Sequence, residues 1–127
     1  MQIVSRTIET TAPIYIYPLG DIQYAGEESS THFGNLKRYV NGASGYLLGM
    51  GDYIDFVSPS NRQRIRSAAL YDTATTVLDT AAIGLAQGLF KSVLEGTKGK
   101  WLGLLEGHHF YQGSDGRTTD QYLAEAL

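Results

Sequence analysis

Apolar and β-branched residues gather in three short runs along the 127-residue chain: PIYIYPLGD at 13–21, GYLLGMGD at 45–52 and TKGKWLGLLEGHH at 97–109. Each run ends in glycine and polar residues, the signature of a buried strand emptying into a loop. Between the first two lies GEESSTHFGNLKRYVNG, residues 26–42, in which Ser30 or Thr31 can cap a helix. Its apolar positions Phe33, Leu36 and Val40 are three and four apart, and Asn41-Gly42 closes it. After the second run, Ser58-Pro59 offers a capping hydroxyl and a proline at the first helical position, and a helical pattern continues to about Glu95. Thr118 or Thr119 opens a last helix over DQYLAEAL.

The predicted order is βαβαβα, which argues an α/β fold with a mostly parallel sheet and crossover helices, built as one domain over residues 1–127. In such sheets ligands sit beyond the carboxyl ends of the strands. Three polar strand ends should therefore converge: Gly20-Asp21-Ile22-Gln23, Gly51-Asp52-Tyr53-Ile54-Asp55 and Glu106-Gly107-His108-His109.

Composition narrows the chemistry. A 43% apolar, 18% charged balance is that of a globular domain rather than a disordered or fibrous chain. The net charge of −3 supplies no field for a polyanion, so nucleic acid is not indicated as a partner. Without cysteine there are no disulfides, thiolate zinc sites or thiol nucleophiles. The N-terminus lacks a signal-peptide pattern, and the apolar stretch 81–90 falls short of the ~18 residues of a membrane span, so the expectation is a cytoplasmic protein with no membrane contact.

Two aspartates and two histidines at glycine-flanked strand ends suit a divalent cation such as Mn²⁺, Fe²⁺ or Zn²⁺. Asp52, on the middle motif, is the candidate to bridge two ions about 3.5–4 Å apart, the spacing of a two-metal hydrolytic site. Taken one at a time, the residues have plainer readings. Asp21 can cap the following helix, Asp55 can pair with Arg62 or Arg64, and the histidines can pack against Tyr111 and Trp101. His32 reads as a surface or capping residue, Arg62, Arg64 and Arg66 as a solvated helix face, and Gly84 and Gly88 as sites of close packing.

In this order and spacing, GDIQ, GDYID and GHHF resemble the calcineurin-like metallophosphoesterases, whose motifs run Asp-x-His, Gly-Asp-x-x-Asp and Gly-Asn-His followed by an acid. The resemblance implies one half of the metallophosphoesterase sandwich. It further implies that Asp21, Gln23, Asp52 and His108 hold metal, with Gln23 in place of a histidine and His108 in place of an asparagine. His109 becomes the catalytic histidine that assists the leaving group, oriented by Asp55. Phe110 stands where the family has an acid, and no histidine follows His109 to match the family's later metal motifs.

The implied activity is phosphomonoester or phosphodiester hydrolysis by a metal-bound hydroxide. Two divalent ions are expected, Mn²⁺ first among them and Fe²⁺, Zn²⁺ or Mg²⁺ as alternatives. The remaining ligands would come from a complementary C-terminal half or a homo-oligomer. The competing reading is a non-catalytic half-domain that serves binding or assembly. A nucleotide-binding domain is disfavoured because GxGxxG and GxxxxGK[ST] loops are absent from the sequence.

Overall fold

The computed structural model describes residues 4–25, 31–56 and 72–127. Strands β1 (Ile16–Leu19), β2 (Tyr46–Gly49) and β3 (Trp101–Leu104) form one parallel sheet in the order β1-β2-β3. Helix α1 (Thr31–Gly42) joins the first pair. Helix α2 (Asp72–Leu89) runs on through a π turn (Phe90–Leu94) and a 3₁₀ turn (Glu95–Thr97) into β3, and α3 (Thr119–Ala126) closes the fold. The expected alternation is present. The Ser58-Pro59 cap and the three arginines lie outside the described residues.

The strand order decides which face is covered. Both crossovers step in the same direction across the sheet, and the right-handed rule then places both connecting helices on one side. Leu19, Leu47 and Trp101 accordingly share a single core with Phe33 and Val40 of α1 and Leu89, Val93 and Leu94 of the α2 run. Period-two alternation sends Ile14, Ile16 and Pro18 to the opposite face, where the register sets Ile16 beside Tyr46 and Pro18 beside Leu48. Ile14, Ile16 and Met50 are exposed there.

Expected as a buried strand, β1 is instead a half-exposed edge in which Leu19 alone is buried, because no layer among the described residues covers its second face. Pro18 fits that edge. Tyr15 and Leu19 turn their carbonyls toward β2, accepting from the amides of Tyr46 and Met50, so alternation points the missing N–H of Pro18 away from the sheet.

Buried Ala82, Ala86, Leu89 and Val93 recur at spacings of four, three and four along the α2 run, a single stripe that faces the core. The helical segment Ala74–Thr97, 24 residues, is long and apolar enough to cross a membrane by length and composition. Its stripe is also the pattern of a helix packed on a sheet. Of the two glycines, Gly88 serves close packing, since a Cβ there would meet the Tyr24 ring at 3.2 Å, while a Cβ on Gly84 would meet nothing within 4 Å among the described residues.

The join to β3 is held by polar contacts. Trp101 Nε1 donates to Thr97 Oγ1 at 2.9 Å, and Thr97 Oγ1 donates to the Leu94 carbonyl at 2.6 Å. Lys100 Nζ reaches the Ala43 carbonyl at 3.1 Å, just beyond the C-terminus of α1.

Thr118 is the N-cap of α3 and forms a capping box with Gln121. Its hydroxyl also donates to Glu106 Oε2 at 3.1 Å. Thr118→Ala should lower unfolding stability by about 1–2 kcal/mol, measured by urea denaturation with an unchanged m-value.

Candidate functional site

Beyond the sheet, the loops that follow β1 and β2 stay zipped together. Asp21 N–H donates to the Gly51 carbonyl at 3.1 Å, Gln23 N–H to the Asp52 carbonyl at 3.1 Å, and a last parallel bridge pairs Tyr24 with Ile54, Tyr24 N–H donating to the Tyr53 carbonyl and Asp55 N–H to the Tyr24 carbonyl. To keep these bonds while turning, the backbone adopts left-handed conformations at Asp21 (φ 54°), Gln23 (φ 49°), Gly51 (φ 95°) and Asp52 (φ 57°). Asp21, Gln23 and Asp52 are the only non-glycine residues with positive φ among those described, and all three are predicted site residues. Strain of this kind, of order 1 kcal/mol or more per residue, persists where the surrounding structure over-determines it. Here the ladder does so.

The third loop is drawn onto the second through backbone contact. A Cβ on Gly51 would meet Gly107 Cα, and one on Gly107 would collide with the Asp52 backbone nitrogen, so both positions require glycine. The amides of His108 and His109 then donate to Asp52 Oδ1 at 2.5 and 3.0 Å. Tyr53, fully buried, ties the same two strand ends from below: its hydroxyl accepts from Gly51 N–H at 3.0 Å and donates to the Leu105 carbonyl at 2.8 Å. Burial, foremost, pushes the Tyr53 hydroxyl up to about 12, so it keeps the proton it donates.

Each predicted residue has a definite place. Burial raises the Asp52 carboxyl, but the amides of His109 and His108 outweigh it and hold the group below its ordinary 3.8. With Oδ1 given to the amides, Oδ2 is the oxygen that faces outward, 3.7 Å from His108 Nδ1. His109 Nδ1 stands 3.7 Å from Asp55 Oδ1, too far for a hydrogen bond, and is a buried nitrogen with no hydrogen-bond partner among the described residues. Asp21 and Gln23 are exposed on the neighbouring loop, where Gln23 Nε2 donates to Asp21 Oδ1 at 2.5 Å. His32 is exposed and stacks edge-on against Phe33.

The donor set fits one loosely held cation better than two. Two donors about 2.1 Å from a shared ion lie at most about 4.2 Å apart, so Asp52 Oδ2 and His108 Nδ1 can serve one ion between them. No group of three or more His, Asp or Glu side chains is arranged to hold a metal among the described residues. The loops bring Asp52, His108, His109 and Asp55 together, with Asp21 and Gln23 on the adjoining rim.

Sequence reasoning missed Asp120. Only 5% exposed, it sits in the first turn of α3, and its Oδ2 accepts from Gly107 N–H at 3.1 Å. Burial first, then the charges of Glu106 and Asp52, push its carboxyl from 3.8 up to about 6, against the pull of the Gly107 amide. In the sequence TTDQ it looks like any acid in a first helical turn; only the packing of α3 against the third loop distinguishes it.

Two predictions follow from these contacts. Tyr53→Phe leaves the Gly51 N–H and the Leu105 carbonyl without their partner and should cost about 1–3 kcal/mol by chemical denaturation. Asp120 holds its proton more tightly folded than unfolded, so its contribution to stability is present below pH ~4 and is lost as pH rises to about 6. Between pH 4 and 7, the unfolding free energy of Asp120→Asn should therefore gain on that of the parent by up to about 3 kcal/mol, read from paired urea titrations.

No family model, no curated protein and no solved structure matches this chain.

Proposed function

We propose that the chain forms one half of a calcineurin-like metallophosphoesterase domain and contributes three strand-end loops to a metal-dependent phosphoesterase site. The observation that carries this reading is the convergence of GDIQ, GDYID and GHH on Asp52. The first two loops are zipped by backbone bonds, and the third is held by two amides on the Asp52 carboxylate. Strain at Asp21, Gln23 and Asp52 adds to it.

In this reading Asp52 Oδ2 and His108 Nδ1 hold a divalent ion, Mn²⁺ first among the choices, with Asp21 and Gln23 available from the adjacent loop. Bound there, the ion supplies Lewis-acid polarisation of the phosphate ester and acidifies water toward neutrality. His109 turns Nδ1 toward Asp55, leaving Nε2 to give a proton to the departing alkoxide. Asp55, on the loop after β2, is the group that orients His109 in this reading. Further ligands come from a complementary half or a second copy, for which the open sheet face with Ile14, Ile16 and Met50 is apolar enough to pack a further layer.

A second reading, a half-domain that binds or assembles without turnover, is favoured by the lack of a three-donor group among the described residues. Hydrolysis of a chromogenic phosphodiester with and without Mn²⁺ separates the two. The phosphoesterase reading expects metal-dependent turnover that falls at least about 100-fold in Asp52→Asn. A folded, Mn²⁺-loaded protein with no turnover would leave the non-catalytic reading standing.

A further inference from the structure

We propose that Asp120 is a positioning residue for the His108-His109 turn, acting from α3 through the Gly107 amide. The first three residues of the α3 segment grip the third loop on both sides of the histidine pair. Before the pair, Thr118 Oγ1 donates to Glu106 Oε2 at 3.1 Å and Asp120 Oδ2 accepts from Gly107 N–H at 3.1 Å. After it, Thr119 N–H donates to the Tyr111 carbonyl at 2.9 Å, and Thr119 Oγ1 accepts from Tyr111 N–H at 3.1 Å. The histidines lie between these fixed points.

Asp120 is the member of the clamp that reaches the turn itself. Three consecutive amides, 107, 108 and 109, are shared between two carboxylates from different elements, the first taken by Asp120 and the next two by Asp52. Gly107 is bonded directly to His108, so a Gly107 peptide held by α3 limits where the next two amides can point. Fixing the first therefore aims the other two. A carboxylate makes that bond charge-assisted, roughly twice the strength of a neutral one. It is also costly to bury beside Glu106 and Asp52. Either protonation state of Asp120 retains an oxygen for the Gly107 N–H, so the positioning holds on both sides of its titration.

The catalytic consequence rests on the phosphoesterase reading; the positioning does not. In the unmodified chain, NMR should show a scalar coupling across the hydrogen bond between Gly107 ¹⁵N and Asp120 ¹³Cγ. Asp120→Leu, close in shape but without an acceptor, should lower the exchange protection of the His108 and His109 amides by roughly tenfold or more. Asp120→Asn, which keeps an acceptor oxygen, should restore it. A distant core variant, Val40→Ala, should leave those two amides protected to within its global loss of stability.

If the chain hydrolyses phosphodiesters, Asp120→Leu should lower kcat by about 10–100-fold with a smaller change in KM. Absence of the coupling overturns the proposal, whether or not the variants fold. So does full protection of both histidine amides in folded Asp120→Leu. Amide protection that behaves as stated in a chain without turnover would favour the non-catalytic reading and leave the positioning role intact.

Discussion

The constraint on which the rest of this structure depends is the acceptance of two consecutive amides, His108 and His109, by one oxygen of Asp52. Asp52 lies at the end of the central strand, where the loop after β1 is already zipped to its own. Once the third loop is bonded to the same carboxylate, all three strand ends belong to one body. The glycines at 51 and 107 are the steric condition for that closure, and Tyr53 secures it from the buried side.

The arrangement also sorts the oxygens of Asp52 by role. Oδ1 is used within the protein, and the amides that use it stabilise the ionised carboxylate more than burial opposes it. Oδ2 is thereby left as the charged outward atom, next to the exposed His108. A group held in one orientation by backbone amides presents its charge in a fixed place without reorganisation. The strained backbone at Asp21, Gln23 and Asp52 agrees with this, since each residue keeps a ladder bond at the expense of its preferred φ.

The sheet gives the site its one-sided support. With β1, β2 and β3 in sequential order, right-handed crossovers stack both connecting helices on one face, and the other face keeps apolar side chains at the surface. The same topology that builds the loop cluster leaves the second face of the sheet uncovered by the described residues.

Much of this was legible in the sequence. The α1 boundaries, the N-cap at Thr118, the alternation of strands and helices, and the three glycine-ended runs follow from local signals that act over a few residues: caps, period, and glycine next to polar groups. What the sequence alone could not decide were properties of contact between distant elements. β1 carries the composition of a buried strand, yet its exposure depends on which side the crossovers take. Asp55 had arginines nearby in sequence, but among the described residues the group facing it is His109, brought there by the loop ladder. Asp120 became distinctive only when α3 packed its first turn against Gly107, because the burial that raises its carboxyl is supplied by residues far from it in the chain. The sequence by itself determined which residues could form elements and carry charge at their ends; the tertiary structure decided which of those charges are buried, paired or turned outward, since desolvation and hydrogen bonding are set by neighbours that only folding assembles.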